Sequence, residues 1–233
     1  PSVVRDSTGP TLSAGGYGFG LGVSSNCRFA HMVGHSGGLP GFGSRMQWLP
    51  EHGVATDRGA VRVNERMETT APGVYAIGDL VGAQMLAHVA SREGIVAASR
   101  AAGRDVVMDY RAVPRCTFTH PEVAGVGLTE DAAAAGGMKV KAGRFPFSAL
   151  GKAAADGETQ GFVKIVCEEG SGAVVGGVIV GRGASALIHE IAIAVHARLT
   201  AEELASAVHA HPTLSEAVLE AAEAVDRLSV HSL

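Results

Sequence analysis

The stretch "GFVKIVCEEGSGAVVGGVIVGRGASALIHEIAIAVHAR", residues 161–198, decides the fold: strand-like apolar runs at 161–167 and 173–180 are followed by a helical pattern over 184–198. Outward from it, residues 115–119 and 140–147 also read as strands, and 129–136, 201–208 and 214–227 as helices. Strands grouped ahead of helices predict an antiparallel sheet covered on one face. The fold class is therefore α+β (mixed α/β) across residues 113–233. Thr200-Ala201-Glu202-Glu203 is a T-x-x-E capping box, in which a hydroxyl and a carboxylate each satisfy a backbone N–H, and it supports a helix starting at 201.

Near the C-terminus stands His211-Pro212-Thr213-Leu214-Ser215-Glu216, which puts an imidazole and a carboxylate together at a helix start. One reading is structural, because Thr213 and Glu216 also form a capping box. The other is chemical. A neutral His takes up a proton near pH 7, and a carboxylate bonded to its far nitrogen fixes the tautomer and stabilises the imidazolium. Pro212 suits the start of a helix, where it removes no needed donor.

Upstream, residues 74–77 (Val-Tyr-Ala-Ile) form a short apolar run with β-branched and aromatic bias that reads as a buried strand, with Gly78-Asp79 at its carboxyl end. Ligands of α/β sheets bind at that end of a strand. A Gly admits close backbone approach, and a carboxylate there can accept hydrogen bonds from sugar or ribityl hydroxyls. Met85-Leu86-Ala87-His88 then opens an Ala-rich helical pattern, whose free N–H groups favour electron-rich oxygens.

Five landmarks occur in order: "GAVRVNERMETTAPGVYAIGDL" (59–80), "LAHVASREGIVAA" (86–98), "FTHPEVAGVGLTE" (118–130), "GETQGFVKIV" (157–166) and "HAHPTLSEA" (209–217). Through them the chain from Ala55 onward resembles the C-terminal half of the dihydrolipoyl dehydrogenases, within the flavin-dependent pyridine nucleotide-disulfide oxidoreductases. The resemblance implies FAD and NAD as cofactors. It implies that Gly78 and Asp79 hold the ribityl chain, and that Leu86, Ala87 and His88 meet the flavin ring mainly through backbone. It also implies that residues 113–233 are a dimerisation domain forming a homodimer. From there His211, oriented by Glu216, would reach the flavin site of the opposite subunit as the catalytic base. Partners by the same resemblance are a lipoyl protein or a 2-oxo acid dehydrogenase complex.

Parts of that machinery are missing from the sequence. No G-x-G-x-x-G follows a strand, so no pyrophosphate-binding turn is present for either dinucleotide. Cys27, Cys116 and Cys167 are too scattered for the closely spaced redox pair and read as reduced, structural thiols of a cytoplasmic chain. Residues 54–112 are thus a partial FAD/NAD-binding segment.

Residues 14–53, "AGGYGFGLGVSSNCRFAHMVGHSGGLPGFGSRMQWLPEHG", resemble instead the C-terminal part of serine β-lactamase-like hydrolases. There an "HSG" strand end stands where relatives carry K-T-G. The S-x-x-K nucleophile motif has no counterpart here. Gly34-His35-Ser36-Gly37-Gly38 also satisfies G-x-S-x-G, but a nucleophile elbow needs a helix straight after the serine, and the glycines and Pro40 that follow read as loop. With the joint near residue 54 the chain reads as a chimera with residues 1–53 as one fragment, and a start at Pro1 without an initiator Met agrees with a fragment.

Composition narrows the remaining classes. A net charge of −4 without a basic stripe argues against a nucleic-acid surface, and no apolar run is long enough to span a bilayer. His189 and His196 share a helix face without forming H-E-x-x-H, so no metal site is expected. The functional classes left are part of a dihydrolipoyl dehydrogenase inactive by itself, an inert dimerisation module, and, third, a serine hydrolase.

Overall fold

The computed structural model describes residues 54–229, together with the backbone of five strands between Ser2 and Trp48. It divides into two compact units, Pro1–Met108 and Asp109–Leu233.

In the first unit β1 (Ser2–Arg5), β2 (Leu12–Gly18), β3 (Leu21–Ser25), β4 (Met32–Leu39) and β5 (Phe42–Trp48) form an antiparallel meander in chain order. Residues 34–38 lie within β4, with Ser36 opposite Arg45 of β5. The glycines after Ser36, expected as loop, continue the strand, and the chain returns as β5 where an elbow would require a helix. Cys27 and Pro40 lie outside the described residues.

A two-residue hairpin pair, β6 (Thr56–Asp57) and β7 (Ala60–Val61), comes next. The strand expected at 74–77 is not formed: Tyr75 makes only an isolated bridge to Glu68. Val74 and Ile77 are 40% and 39% exposed, because no neighbouring strand among the described residues covers them. A short 3-10 turn, Gly78–Val81, leads to helix α1 (Ala87–Ala101), which buries Val89, Glu93, Val96 and Ala97.

The second unit is the α+β fold expected from the sequence. Its elements are β8 (Arg115–Thr117), β9 (Val123–Gly127), α2 (Glu130–Ala135), β10 (Val140–Pro146), α3 (Gly151–Asp156), β11 (Phe162–Glu168), β12 (Val174–Val180), α4 (Ala184–Ala197), α5 (Ala201–Ser206) and α6 (Glu216–Ala224). The strands pair antiparallel in the order β10-β11-β12-β9-β8. Val163, Ile165 and Cys167 of β11 and Ile179 of β12 are fully buried with Ile188, Ile191 and Ala194 of α4 and Ala217, Val218 and Ala221 of α6. α4 lies on β12 and β9, and α6 on β10 and β11. Gly143 permits the second contact: a Cβ there would stand 2.1 Å from the Ala221 carbonyl oxygen and 2.4 Å from the Val225 nitrogen. The helix backbone therefore rests directly on the strand. Thr200 and Glu203 complete the capping box read from the sequence, with Glu203 N–H donating to Thr200 Oγ1 at 3.1 Å and Thr200 N–H to Glu203 Oε2 at 2.8 Å.

Candidate active site

The loop between α5 and α6 carries the first cluster. Glu216 is the first residue of α6, two positions later than the pattern suggested, and the preceding His211–Pro212 peptide is cis. His211 Nδ1–H donates to Glu216 Oε1 at 2.8 Å, while Glu216 Oε2 accepts the Thr213 N–H at 2.7 Å. One carboxylate therefore orients the ring and satisfies a helix-start amide. Only half of the expected capping box forms at this helix, since the Thr213 hydroxyl donates to the Ala210 carbonyl at 2.7 Å. Burial pushes the Glu216 carboxyl upward, but the Thr213 amide and the His211 ring outweigh it and hold it below the usual carboxylate range. The His211 side chain is 78% exposed. With Nδ1 committed, its Nε2 is the nitrogen available to take a proton from an incoming group.

His209, two residues upstream, is placed differently. Its side chain is 6% exposed, with Nε2 2.5 Å from Glu190 Oε1 and Nδ1 2.8 Å from the Ala207 carbonyl oxygen. Sequence reasoning passed over Glu190, whose distance along the chain hides the pairing.

A second cluster lies in the first unit. Gly78 has a left-handed φ of 72°, and a Cβ on it would meet the Ala90 methyl of α1 at 3.2 Å. Its N–H donates to Glu93 Oε2 at 2.6 Å, and Glu93 is fully buried. The Asp79 carboxylate next to it is exposed and has no hydrogen-bond partner among the described residues. Leu86 is the N-cap of α1, in extended conformation and with no side-chain cap; its N–H donates to the Gln84 carbonyl at 2.8 Å, and Ala87 and His88 begin the helix. Gln84, which the motif reading did not single out, buries Oε1 without a hydrogen-bond partner among the described residues. Glu93 was equally unmarked, because a carboxylate inside an amphipathic pattern reads as solvated surface.

The thiols of the second unit are not poised for chemistry. Burial pushes Cys167 up to about 11, and burial with the Glu122 charge raises Cys116. His189 Nδ1 faces the Ala186 carbonyl at 3.3 Å and His196 Nδ1 faces Asp109 at 3.8 Å. Among the described residues no three His, Cys, Asp or Glu side chains gather as a metal site, and no helix is long and apolar enough to cross a membrane.

Known proteins match both regions. Residues 113–222 match the family "Pyridine nucleotide-disulphide oxidoreductase, dimerisation domain", and residues 40–94 match "Pyridine nucleotide-disulphide oxidoreductase". The second match starts at residue 40, within the stretch 14–53 for which the sequence suggested a hydrolase-like origin. Dihydrolipoyl dehydrogenase of Thermus scotoductus is 46% identical over 79% of this chain and 40% of its own length. That of Bacillus subtilis is 42% identical over 85% of this chain and 41% of its own. The chain thus spans about two fifths of the length of the curated relatives it matches. Among solved structures, LpdA from Mycobacterium tuberculosis superposes with a TM-score of 0.71 at 29% identity, covering 91% of this chain and 48% of that one. The flavoprotein disulfide reductase RclA from Escherichia coli, at 20% identity and a TM-score of 0.67, shares the fold over 90% of this chain and 49% of its own. The C-terminal region of this chain belongs to the pyridine nucleotide-disulphide oxidoreductases, and dihydrolipoyl dehydrogenases are its homologues.

Proposed function

We propose that residues 113–233 are the base-bearing dimerisation domain of a dihydrolipoyl dehydrogenase, with His211 as catalytic base and Glu216 as the residue that orients it. The observation that carries this reading is the 2.8 Å bond from His211 Nδ1 to Glu216 on an otherwise exposed ring. In the proposed step a dihydrolipoyl thiol passes its proton to His211 Nε2. The thiolate so formed attacks a disulfide sulfur, giving a mixed disulfide and releasing the second sulfur as thiolate. Glu216 offsets the charge of the imidazolium, which later returns the proton. Cys116 and Cys167 do not serve as that disulfide, since they lie on separate strands with raised thiols. The disulfide belongs to residues outside the second unit.

Residues 54–112 are proposed as the part of an FAD/NAD-binding domain that faces the flavin. The residues present fit the flavin-ribityl end of FAD. The start of α1 at Ala87 carries no side-chain cap, which places helix backbone from Leu86 to His88 toward the flavin ring in this reading, and the Asp79 carboxylate is free to accept ribityl hydroxyls. Gln84 adds a buried polar atom in need of a partner. FAD, when bound, supplies the electron transfer between dithiol and NAD. A homodimer, a lipoyl protein or 2-oxo acid dehydrogenase complex as partner, and a cytoplasmic location complete the reading. It is tested by mixing the chain with a dihydrolipoyl dehydrogenase whose own base is mutated and following lipoamide-dependent NADH turnover. Restored turnover supports it, and none counts against it.

A second reading, an inert module that only dimerises, is favoured by apolar side chains left on the surface of the second unit: Val208 is fully exposed, Phe118 80% and Ile193 64%. A colourless dimer on size-exclusion chromatography supports this reading, and stoichiometric bound FAD overturns it. Residues 1–53 are read as a segment of separate, β-lactamase-like origin. The family match beginning at residue 40 and the superposition of 91% of the chain on LpdA count against a joint near residue 54. Hydrolysis of a chromogenic ester, abolished by Ser36→Ala, would be needed to give that segment an activity.

A further inference from the structure

We infer that His209 and Glu190 form a net-neutral, proton-holding pair that positions the loop presenting His211; this rests on the reading of His211 as the base. The argument begins with proton counting. The Ala207 carbonyl can only accept, so His209 Nδ1, 2.8 Å away, carries a proton. His209 Nε2 and Glu190 Oε1, 2.5 Å apart, then share a second proton, as imidazolium on carboxylate or as imidazole on carboxylic acid. In either form the pair is neutral and both ring nitrogens are satisfied. If the second proton is lost, two lone pairs face each other beside a His209 ring that is 6% exposed.

Location gives the pair its role. From Ala207 to Pro212 every residue is exposed except His209, whose side chain is 6% exposed. Its ring is therefore the inward-facing anchor of this loop, and the tie runs to α4, which is itself buried against the sheet. His211 follows after a single exposed residue. The charged groups facing His209 are Glu190 of α4 and, more remotely, Glu216 of α6, whose carboxyl is held lower in part by the His209 charge. The two histidines of H-x-H thus divide the work: His211 meets the reacting group, and His209 is a positioning residue that holds the loop.

Nitrogen-15 NMR of the histidine rings in the whole chain tests this, because it reports protonation and tautomer without requiring turnover. His209 should show protons held at both ring nitrogens, and His211 a proton at Nδ1. Glu190→Gln keeps a side-chain hydrogen bond but cannot hold the proton, so His209 should fall to Nδ1–H alone while His211 keeps its tautomer. Glu190→Ala should convert His211 to a mixture of tautomers. A singly protonated His209 in the parent chain, or an unchanged doubly protonated one in Glu190→Gln, would overturn the inference. So would an unaltered His211 in a folded Glu190→Ala, and if that variant does not fold, the other two measurements decide. Failure of the lipoamide assay would leave these spectra readable, so the two ideas can fail separately.

Discussion

Gly143→Ala is the sharpest probe of how α6 is seated. The added methyl would lie 2.1 Å from the Ala221 carbonyl oxygen and 2.4 Å from the Val225 nitrogen, both backbone atoms that no rotamer change can move aside. Restoring ordinary contact at 3.4 Å requires α6 to retreat from β10 by roughly 1.3 Å, forfeiting dispersion contacts along the whole helix. Overpacking of this kind costs about 2–3 kcal/mol. At about 4 °C per kcal/mol for a unit of this size, the expected fall in Tm is about 8–12 °C. Thermal unfolding followed by far-UV circular dichroism measures it, with Gly151→Ala as control. Gly151 is the first residue of α3 and has no atom within 4 Å of its added Cβ, so that variant should match the parent or gain up to about 1 kcal/mol. Because α6 begins at Glu216, the same retreat should also draw that carboxylate from His211. A Gly143→Ala chain melting within about 2 °C of the parent would refute the packing argument.

His211→Gln should lower turnover in the mixing assay by about 10²–10⁴-fold, yet shift stability by no more than about 0.5 kcal/mol because the ring is largely solvated; a large loss of stability would contradict that placement. Asp109, held down to about 2 from 3.8 chiefly by its hydrogen bond with Arg111, binds fewer protons folded than unfolded in that window. Its contribution is present above 3.8 and lost as pH falls toward 2, so Asp109→Asn should flatten the acid limb of the stability curve there. Glu216→Gln should remove a similar slope just below 4.5, since the Glu216 carboxyl is also held low. Cys167 should resist iodoacetamide at pH 8 in the folded chain and react after denaturation; alkylation of the native protein, read by mass, would contradict its burial.

Local chemistry made much of this fold legible. The apolar runs of β11 and β12, the long pattern of α4 and the Thr200–Glu203 box are signals carried by neighbouring residues, and each formed within a residue or two of its expected limits at the helix start or strand. β9 escaped notice because its V-A-G-V-G is diluted by glycines that suit close sheet contacts more than strand propensity. Tyr75 and its neighbours misled for the opposite reason: strand-like composition does not make a strand without a partner to pair with. The His211–Glu216 contact was visible because both residues share one turn of chain. His209 with Glu190, and Glu93 beneath Gly78, were not, since only the tertiary fold brings those groups together.

The carboxylate of Glu216 has two oxygens and two tasks, one on the His211 ring and one on the Thr213 amide that opens the helix. Winding the first turn of α6 and aligning the imidazole are consequently a single event. Selection for a foldable protein would therefore keep the carboxylate that aligns the ring, while the exposed ring itself could be exchanged without cost to the turn.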